Sequence, residues 1–524
     1  MRAQWTRRQA LRRGGAAAAG VVGLGLAGFI GYEWPRGSTP AAARRTPSVT
    51  PSSPGTNTSA SASTPGETDS FLTAPSLNPP VINVTQLAGA PGQPEYIFVA
   101  PRGYVGKSVG ESGLMIVDRT GQLVWFGSPV GGTPLNFACQ TYRGKPVLTW
   151  SAGYVNAVGV TYGKSYIADS SYRLIATVQA GDGAQTDLHE FNLTPQGTAL
   201  MTAHRKVSAD LTSVGGPAKG WVLASAAQEV DVATGKVLFE WNALDHIPLT
   251  ESQQPLLKAG TSQNPYDFCH MNSIALHPDG GLVISCRNTS AVYKIARPSG
   301  KIEWRVGGKK SDFAMGPGAT FYWQHDARMP AADLLTVFDD GSSPPKEKQS
   351  RAILLHLDTG AMRATLEHAY TQPGRVLADN QGSTQLLPDG RVFVGWGAEP
   401  YFSEFASDGT LLLTGEYPIG DQSYRAYTFD WTGHPTGRPA VVVRRNPARG
   451  SVVYVSWNGA TAVRTWEVHA GPHPGSLAAA GSQGRDGFET VVPVTSEGPY
   501  FMVIARDGAG RELGRSRTVR VTAS

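Results

Sequence analysis

The sequence predicts an all-β protein, a six-bladed β-propeller followed by a C-terminal fibronectin III/immunoglobulin-like β-sandwich. Three observations predict it. A strand–turn–strand unit recurs six times between Tyr96 and about Pro435, with turns near residues 121, 171, 235, 300, 360 and 409. That spacing of about 50 to 65 residues fits one four-stranded sheet per repeat. Between these units runs a second one, apolar–turn–apolar: NLTPQGTALMTA from 192, ALHPDGGLVISC from 275 and QLLPDGRVFVGW from 385, with weaker copies from 140 and 328. Each reads as a tight hairpin. Beyond Thr436 the pattern gives way to about 80 residues of alternating strands without the paired cysteines of antibody domains.

Taken in order, residues 1–35 are read as a twin-arginine export signal. Arg7-Arg8 precede the apolar run Gly14–Tyr32, and Ala41-Ala42-Ala43 offer a cleavage site. Uncleaved, the run is long enough to anchor the chain in a membrane. The expected location is therefore exported, in the cell envelope or outside the cell, with membrane contact only through this segment. Residues 36–79 are rich in Ser, Thr, Pro, Ala and Gly, and are expected to form a disordered linker. Residues 80–438 are assigned to the propeller and 439–524 to an accessory sandwich that packs on the propeller or binds a partner.

Charge excludes one function class. The formal net charge of +5 is carried entirely by residues 1–69, where eight arginines face three acids. The remainder is balanced, so the basic isoelectric point is no argument for nucleic-acid binding.

The polar residues at strand ends carry the chemistry. Six residues before the turn proline of successive hairpins sit His189, Asn272, Gln324 and Gly382; nine residues after it sit His204, Arg287, Asp339 and Gly397. His270 lies two residues before Asn272, on the same side of its strand. His325 follows Gln324, where a bulge would re-aim it. Innermost propeller strands line the central channel, so His189, His270, Arg287 and His325 are expected to converge from three consecutive blades. Clustered cationic groups repel unless an anion sits among them. The other histidines are read as packed or surface residues.

Three histidines can hold zinc, but Arg287 beside them opposes a cation and no HExxH or CxxC spacing occurs; no cofactor is expected, and a calcium ion in the channel is left open. PRGYVGKS from 101 lacks the first glycine of a phosphate loop and no helix follows it. Cys139, Cys269 and Cys286 make an odd count. A simple hairpin register around 278–281 pairs 269 with about 290 rather than 286, so all three thiols are expected reduced and packed.

The stretches DLHEFNLTPQG, CHMNSIALHPDGGLVISCRNTSAVYKI, FYWQHDAR and VFDDG, with GWG near 395 and SYRA near 424, resemble the arylsulfotransferase family of exported bacterial six-bladed propellers. The resemblance covers roughly Tyr96 to Pro435. It implies transfer of a sulfuryl group from a phenolic sulfate ester to a phenol, without a nucleotide sulfate donor, by a ping-pong route through a sulfated histidine. It implies that His325 is that nucleophile, that His270 and Arg287 hold the sulfuryl oxygens, and that His189 is a further active-site histidine. Asn272, Tyr322 and Trp323 are expected to contact substrate, the two aromatics by stacking on an aryl ring, with packing as core aromatics of a blade the alternative for both. The implied partners are a small aromatic sulfate donor, a phenol acceptor and the twin-arginine export machinery. The disulfide of some members is expected to be absent, because no cysteine pair stands near the nucleophile. A non-catalytic envelope propeller binding an anionic glycan or peptide, or an aryl sulfatase-like hydrolase, are the alternative functions.

Overall fold

The computed structural model describes residues 68–88, 95–103, 108–156, 159–446 and 450–521. The expected export signal and most of the expected linker fall in residues 1–67, outside the described residues.

The described region is all-β and propeller-like. Among the described residues six sheets follow one another, each built on four antiparallel strands in up-and-down order. The second runs Thr133–Tyr142, Lys145–Val155, Thr161–Ala168 and Leu174–Val178. The third runs Gln185–Leu193, Thr198–Ala209, Gly220–Asp231 and Val237–Asn242. The fourth runs Met271–Leu276, Leu282–Cys286, Ala291–Ile295 and Ile302–Gly307. The fifth runs His325–Ala331, Leu334–Asp339, Arg351–Asp358 and Arg363–Tyr370. The sixth runs Ser383–Leu386, Val392–Gly395, Tyr401–Phe405 and Leu411–Glu416, with Asn83–Gln86 added at its outer edge.

The first sheet is built from both ends of this region. Tyr427–Phe429 pairs with Tyr96–Val99, which pairs with Leu114–Asp118 and then Leu123–Gly127. This closes the series into a ring, and the first strands of the second to sixth sheets touch one another in turn. Middle strands such as Leu114–Asp118 and Leu282–Cys286 read as near-continuous apolar runs because a neighbouring sheet covers each face. Each junction between neighbouring sheets has its own apolar cluster. Trp241 and Ile284 share the one between the third and fourth, Val283 and Leu335 that between the fourth and fifth, and Ile97 and Phe393 the one that closes the ring.

Residues 68–79, expected to belong to the linker, pack on the folded region. Asp69 N–H donates to Pro79 O at 3.0 Å, and Phe71 meets Phe488 with ring centroids 4.3 Å apart. Phe71, Ala74 and Leu77 pack on the cluster of the first and sixth sheets, supplying apolar area that the residues before them lack.

The C-terminal region is two antiparallel sheets face to face around Val453, Trp466, Val492 and Phe501. It packs on the ring: Asn458 exchanges hydrogen bonds with the backbone of Phe126, and Tyr172 OH donates to Gly459 O at 2.7 Å.

Candidate active site

The inner strands of four consecutive sheets break register at one level. The slips fall between Leu135 and Ala138, Thr186 and Phe191, Met271 and Ser273, and His325 and Arg328. Near these slips, non-glycine residues adopt left-handed backbone: Asn136, His270, Trp323 and Asp326, with Gln381 at the same end of the sixth sheet. Such conformations are costly and cluster at sites of function. Here they turn side chains out of the alternating pattern and into the channel.

A cavity of about 1490 Å³ opens at this end, and His189, His270, Arg287 and His325 all line it. The expected convergence from three consecutive sheets therefore holds in the structure. The rings of His189 and His270 meet edge to face at 4.9 Å, and Tyr424 lies 5.7 Å from His189 and 6.5 Å from His325.

Each imidazole is tied at Nδ1 to its own carboxylate. The distances are 2.5 Å for His189 to Asp187, 2.5 Å for His270 to Asp267 and 2.8 Å for His325 to Asp340. Gln381 N–H, which can only donate, points at His325 Nε2 from 3.3 Å. Nε2 is thus the lone-pair nitrogen, and Nδ1 carries the proton given to Asp340. His325 is buried. That burial, and then the charges of Arg287, His189 and His270, hold its pKa well below the usual histidine value. Burial pushes the Asp340 carboxyl up, opposed by Arg287. Burial also opposes the Asp187 charge, but His189 and Thr161 hold its pKa below the carboxylate range.

Several contacts place Arg287. It donates to Asn288 Oδ1 at 3.0 Å and to Asp379 O at 3.1 Å, and its guanidinium lies 5.2 Å over the Trp323 ring. Trp323 is buried with its indole N–H on Pro344 O. Trp323, Tyr322 and Asn272 do not line the cavity. Left-handed backbone turns Trp323 inward beneath Arg287, and Asn272 is spent on Gln324 O at 2.6 Å.

The sequence reading missed the three carboxylates, and also Gln381, Tyr424 and Arg102. Arg102 reaches the cavity wall from the stretch dismissed as a phosphate loop, and donates to Gln381 Oε1 at 2.9 Å. The local signal was present in part: Asp187 and Asp267 stand two and three residues before their histidines.

Beneath the cavity a buried ionic network plugs the channel. Arg425 pairs with Glu190 at 2.9 Å and donates to Asn272 O at 3.0 Å; Arg328 pairs with Glu190 at 2.7 Å and with Asp326 at 2.6 Å. It ties strands of the third, fourth and fifth sheets to the segment that leads into Tyr427–Phe429.

The register also corrects the expected distance between two cysteines. Ile274 faces Ile284 and, after the slip, Met271 faces Cys286, so Cys269 and Cys286 lie side by side with Sγ atoms 2.7 Å apart.

No curated protein matches the chain. Among solved structures, a protein of unknown function from Bacteroides caccae is 14% identical, covering 64% of this chain and 98% of its own, with a TM-score of 0.37. An inactive variant of virginiamycin B lyase from Staphylococcus aureus, with quinupristin, is 10% identical over 72% of this chain and 97% of its own, at 0.34. The calcium-binding protein regucalcin from Agrobacterium tumefaciens is 12% identical over 62% and 83%, at 0.29. At these scores the likenesses carry no inference about this chain. The arylsulfotransferase (ASST) family model, by contrast, matches residues 138–418, which is more than half of the sequence and takes in His189, His270, Arg287 and His325, and the chain belongs to that family.

Proposed function

We propose that this protein transfers a sulfuryl group from a phenolic sulfate ester to a phenolic acceptor, without a nucleotide donor, by a ping-pong mechanism through sulfated His325. The observation that carries the reading is the state of His325: neutral, buried, its Nδ1 proton on Asp340 and its Nε2 lone pair met by Gln381 N–H, at the wall of a cavity also lined by Gln381, Arg287, His189 and His270. A neutral imidazole is a competent nucleophile.

In the first half-reaction Nε2 attacks sulfur, and the bond from sulfur to the phenolic oxygen breaks. Charge on the transferring oxygens is met by Arg287, His270 and His189, as in phosphoryl transfer. A phenoxide has a pKa of about 10 in water, so a protonated His270 or His189 assists its departure. The ring of His325 gains positive charge on sulfation, and the carboxylate of Asp340 at Nδ1 neutralises it. The second half-reaction runs the same steps backwards with the acceptor phenol.

The same reading takes the ring as a six-bladed propeller, with a fibronectin III-like sandwich as accessory domain, in a protein exported by the twin-arginine route. The test is incubation of the purified protein with 4-nitrophenyl sulfate, with and without added phenol. Nitrophenol release that requires the phenol and disappears in His325→Ala is the expected result. Release without phenol would instead indicate a hydrolase, and no release from any aryl sulfate a binding protein.

A further inference from the structure

Cys269 and Cys286 take no part in the chemistry above. Both are fully buried, in the apolar cluster that also holds Tyr266, Phe268 and Tyr293. They stand at the two ends of one hairpin, each one residue from a group on the cavity wall: Cys269 precedes His270 and Cys286 precedes Arg287. The backbone between them is already paired past the register slip. Arg287 N–H donates to His270 O and Asn288 N–H to Cys269 O, both at 3.0 Å. Bringing the sulfurs, 2.7 Å apart, into a bond requires no change of strand pairing.

We propose that Cys269 and Cys286 are an oxidisable pair whose disulfide staples the base of the hairpin that presents His270 and Arg287. One thiolate attacks an external disulfide, forming a mixed disulfide and releasing one thiol. The second cysteine then attacks that mixed disulfide, forms the Cys269–Cys286 bond and releases the second thiol. Two electrons and two protons pass to the external disulfide. Burial, and then the neighbouring Cys286, raise the Cys269 thiol well above its ordinary value. Exchange therefore proceeds while the hairpin base is open, during folding or local unfolding, and the finished bond is shielded from reductants. Cys139 is the internal control. It is half-buried in the second sheet, and burial pushes its thiol up to about 12.

The experiment is to unfold and reduce the full chain, refold it with either glutathione disulfide or a reductant, and alkylate it in denaturant before intact mass and peptide mapping. Under oxidising conditions one alkylated cysteine, Cys139, and a cross-linked pair of peptides holding Cys269 and Cys286 are expected. Tm should exceed that of the reduced protein by several degrees, and the difference should vanish in the Cys269→Ala/Cys286→Ala double variant. Should refolding fail, folded protein incubated with glutathione disulfide in increasing sub-denaturing urea should give the same bond. Three alkylated cysteines under oxidising conditions, a bridge through Cys139, or the expected bridge without a change in Tm would each overturn the proposal.

Discussion

Three carboxylates decide what the three imidazoles can do. With Asp187, Asp267 and Asp340 holding the Nδ1 atoms, tautomer and ring orientation are fixed together. Asp340 matters most, because the nucleophile needs its lone pair on Nε2. Asp340→Asn offers an amide that can donate to Nδ1 and leave the proton on Nε2, the arrangement that cannot attack. The expected outcome is a fall in kcat/KM for aryl sulfate of at least about 10²-fold with Tm little changed; equal rates for variant and parent would remove Asp340 from the mechanism. The pH dependence follows from the depressed pKa of His325. The reactive form is the neutral one, and burial, then the nearby charges with Arg287 first, delay its protonation. The acid limb of kcat/KM therefore lies below the ordinary histidine value of about 6.5. Arg287 supplies the largest of those charge effects, so Arg287→Met should move the limb to higher pH as well as slow transfer. A pH–rate profile of both proteins checks the direction, and an unmoved limb would show that the Arg287 charge does not set the value.

At the scale of the strand, the site depends on bulges, and the bulges rest on charge. Where the inner strands slip, alternation fails, and Asp326, left-handed, turns its carboxylate onto Arg328 and the Thr384 N–H. Arg425, entirely buried, gathers Glu190, Asn136 and Asn272 O from three other sheets. Arg425→Ala strips a buried cation from carboxylates that stay buried, at a cost of about 3–5 kcal/mol. Equilibrium urea unfolding checks the loss; a cost below about 1 kcal/mol would show that Arg328 alone neutralises both acids. The bulges also mark the limit of sequence reading. The outer hairpins were legible because each has a turn signal between two apolar runs, as at Thr234-Gly235 and Asp408-Gly409. The histidines stood out by type and position. Asp340 did not, because a fixed register puts Gln324 where the slip brings His325, and Asp340 stands just past Leu334–Asp339, the strand after the nucleophile's own. The cysteine pair was hidden for the same reason: the slip at Met271 shortens the apparent distance from 269 to 286.

At the scale of the whole molecule, closure of the ring and attachment of the sandwich are one problem. Periodicity shows five inner hairpins for six outer ones, because the sixth inner pair joins Tyr96–Val99 to Tyr427–Phe429 across most of the chain. No local pattern encodes a pairing of that separation, whereas the change of pattern after Thr436 was visible. The closing strand leads directly into the sandwich, and the loop at its far side returns to the same sheet. Asn458 bonds both ways with Phe126, Gly459 N–H donates to Val124 O at 3.0 Å, and Tyr172, stacked on Trp125 at 4.7 Å, binds Gly459 O. Gly459 has a φ of +84°, and a Cβ there would lie 2.4 Å from the Tyr172 ring. Gly459→Ala is therefore strained twice, in the backbone and against the one ring that receives the loop. Both penalties fall on the docked state; the Val453 and Trp466 core of the sandwich and the six sheet-to-sheet clusters are untouched. The variant should keep its β content but exchange amide hydrogens faster over Leu123–Gly127 and 457–461, with a loss of about 1–3 kcal/mol against urea. Because Leu123–Gly127 is the outer strand of the sheet that closes the ring, faster exchange reaching Tyr427–Phe429 would mean that the sandwich holds the closure shut. Faster exchange confined to the docking loop would mean that the ring closes by itself and the sandwich is carried on it.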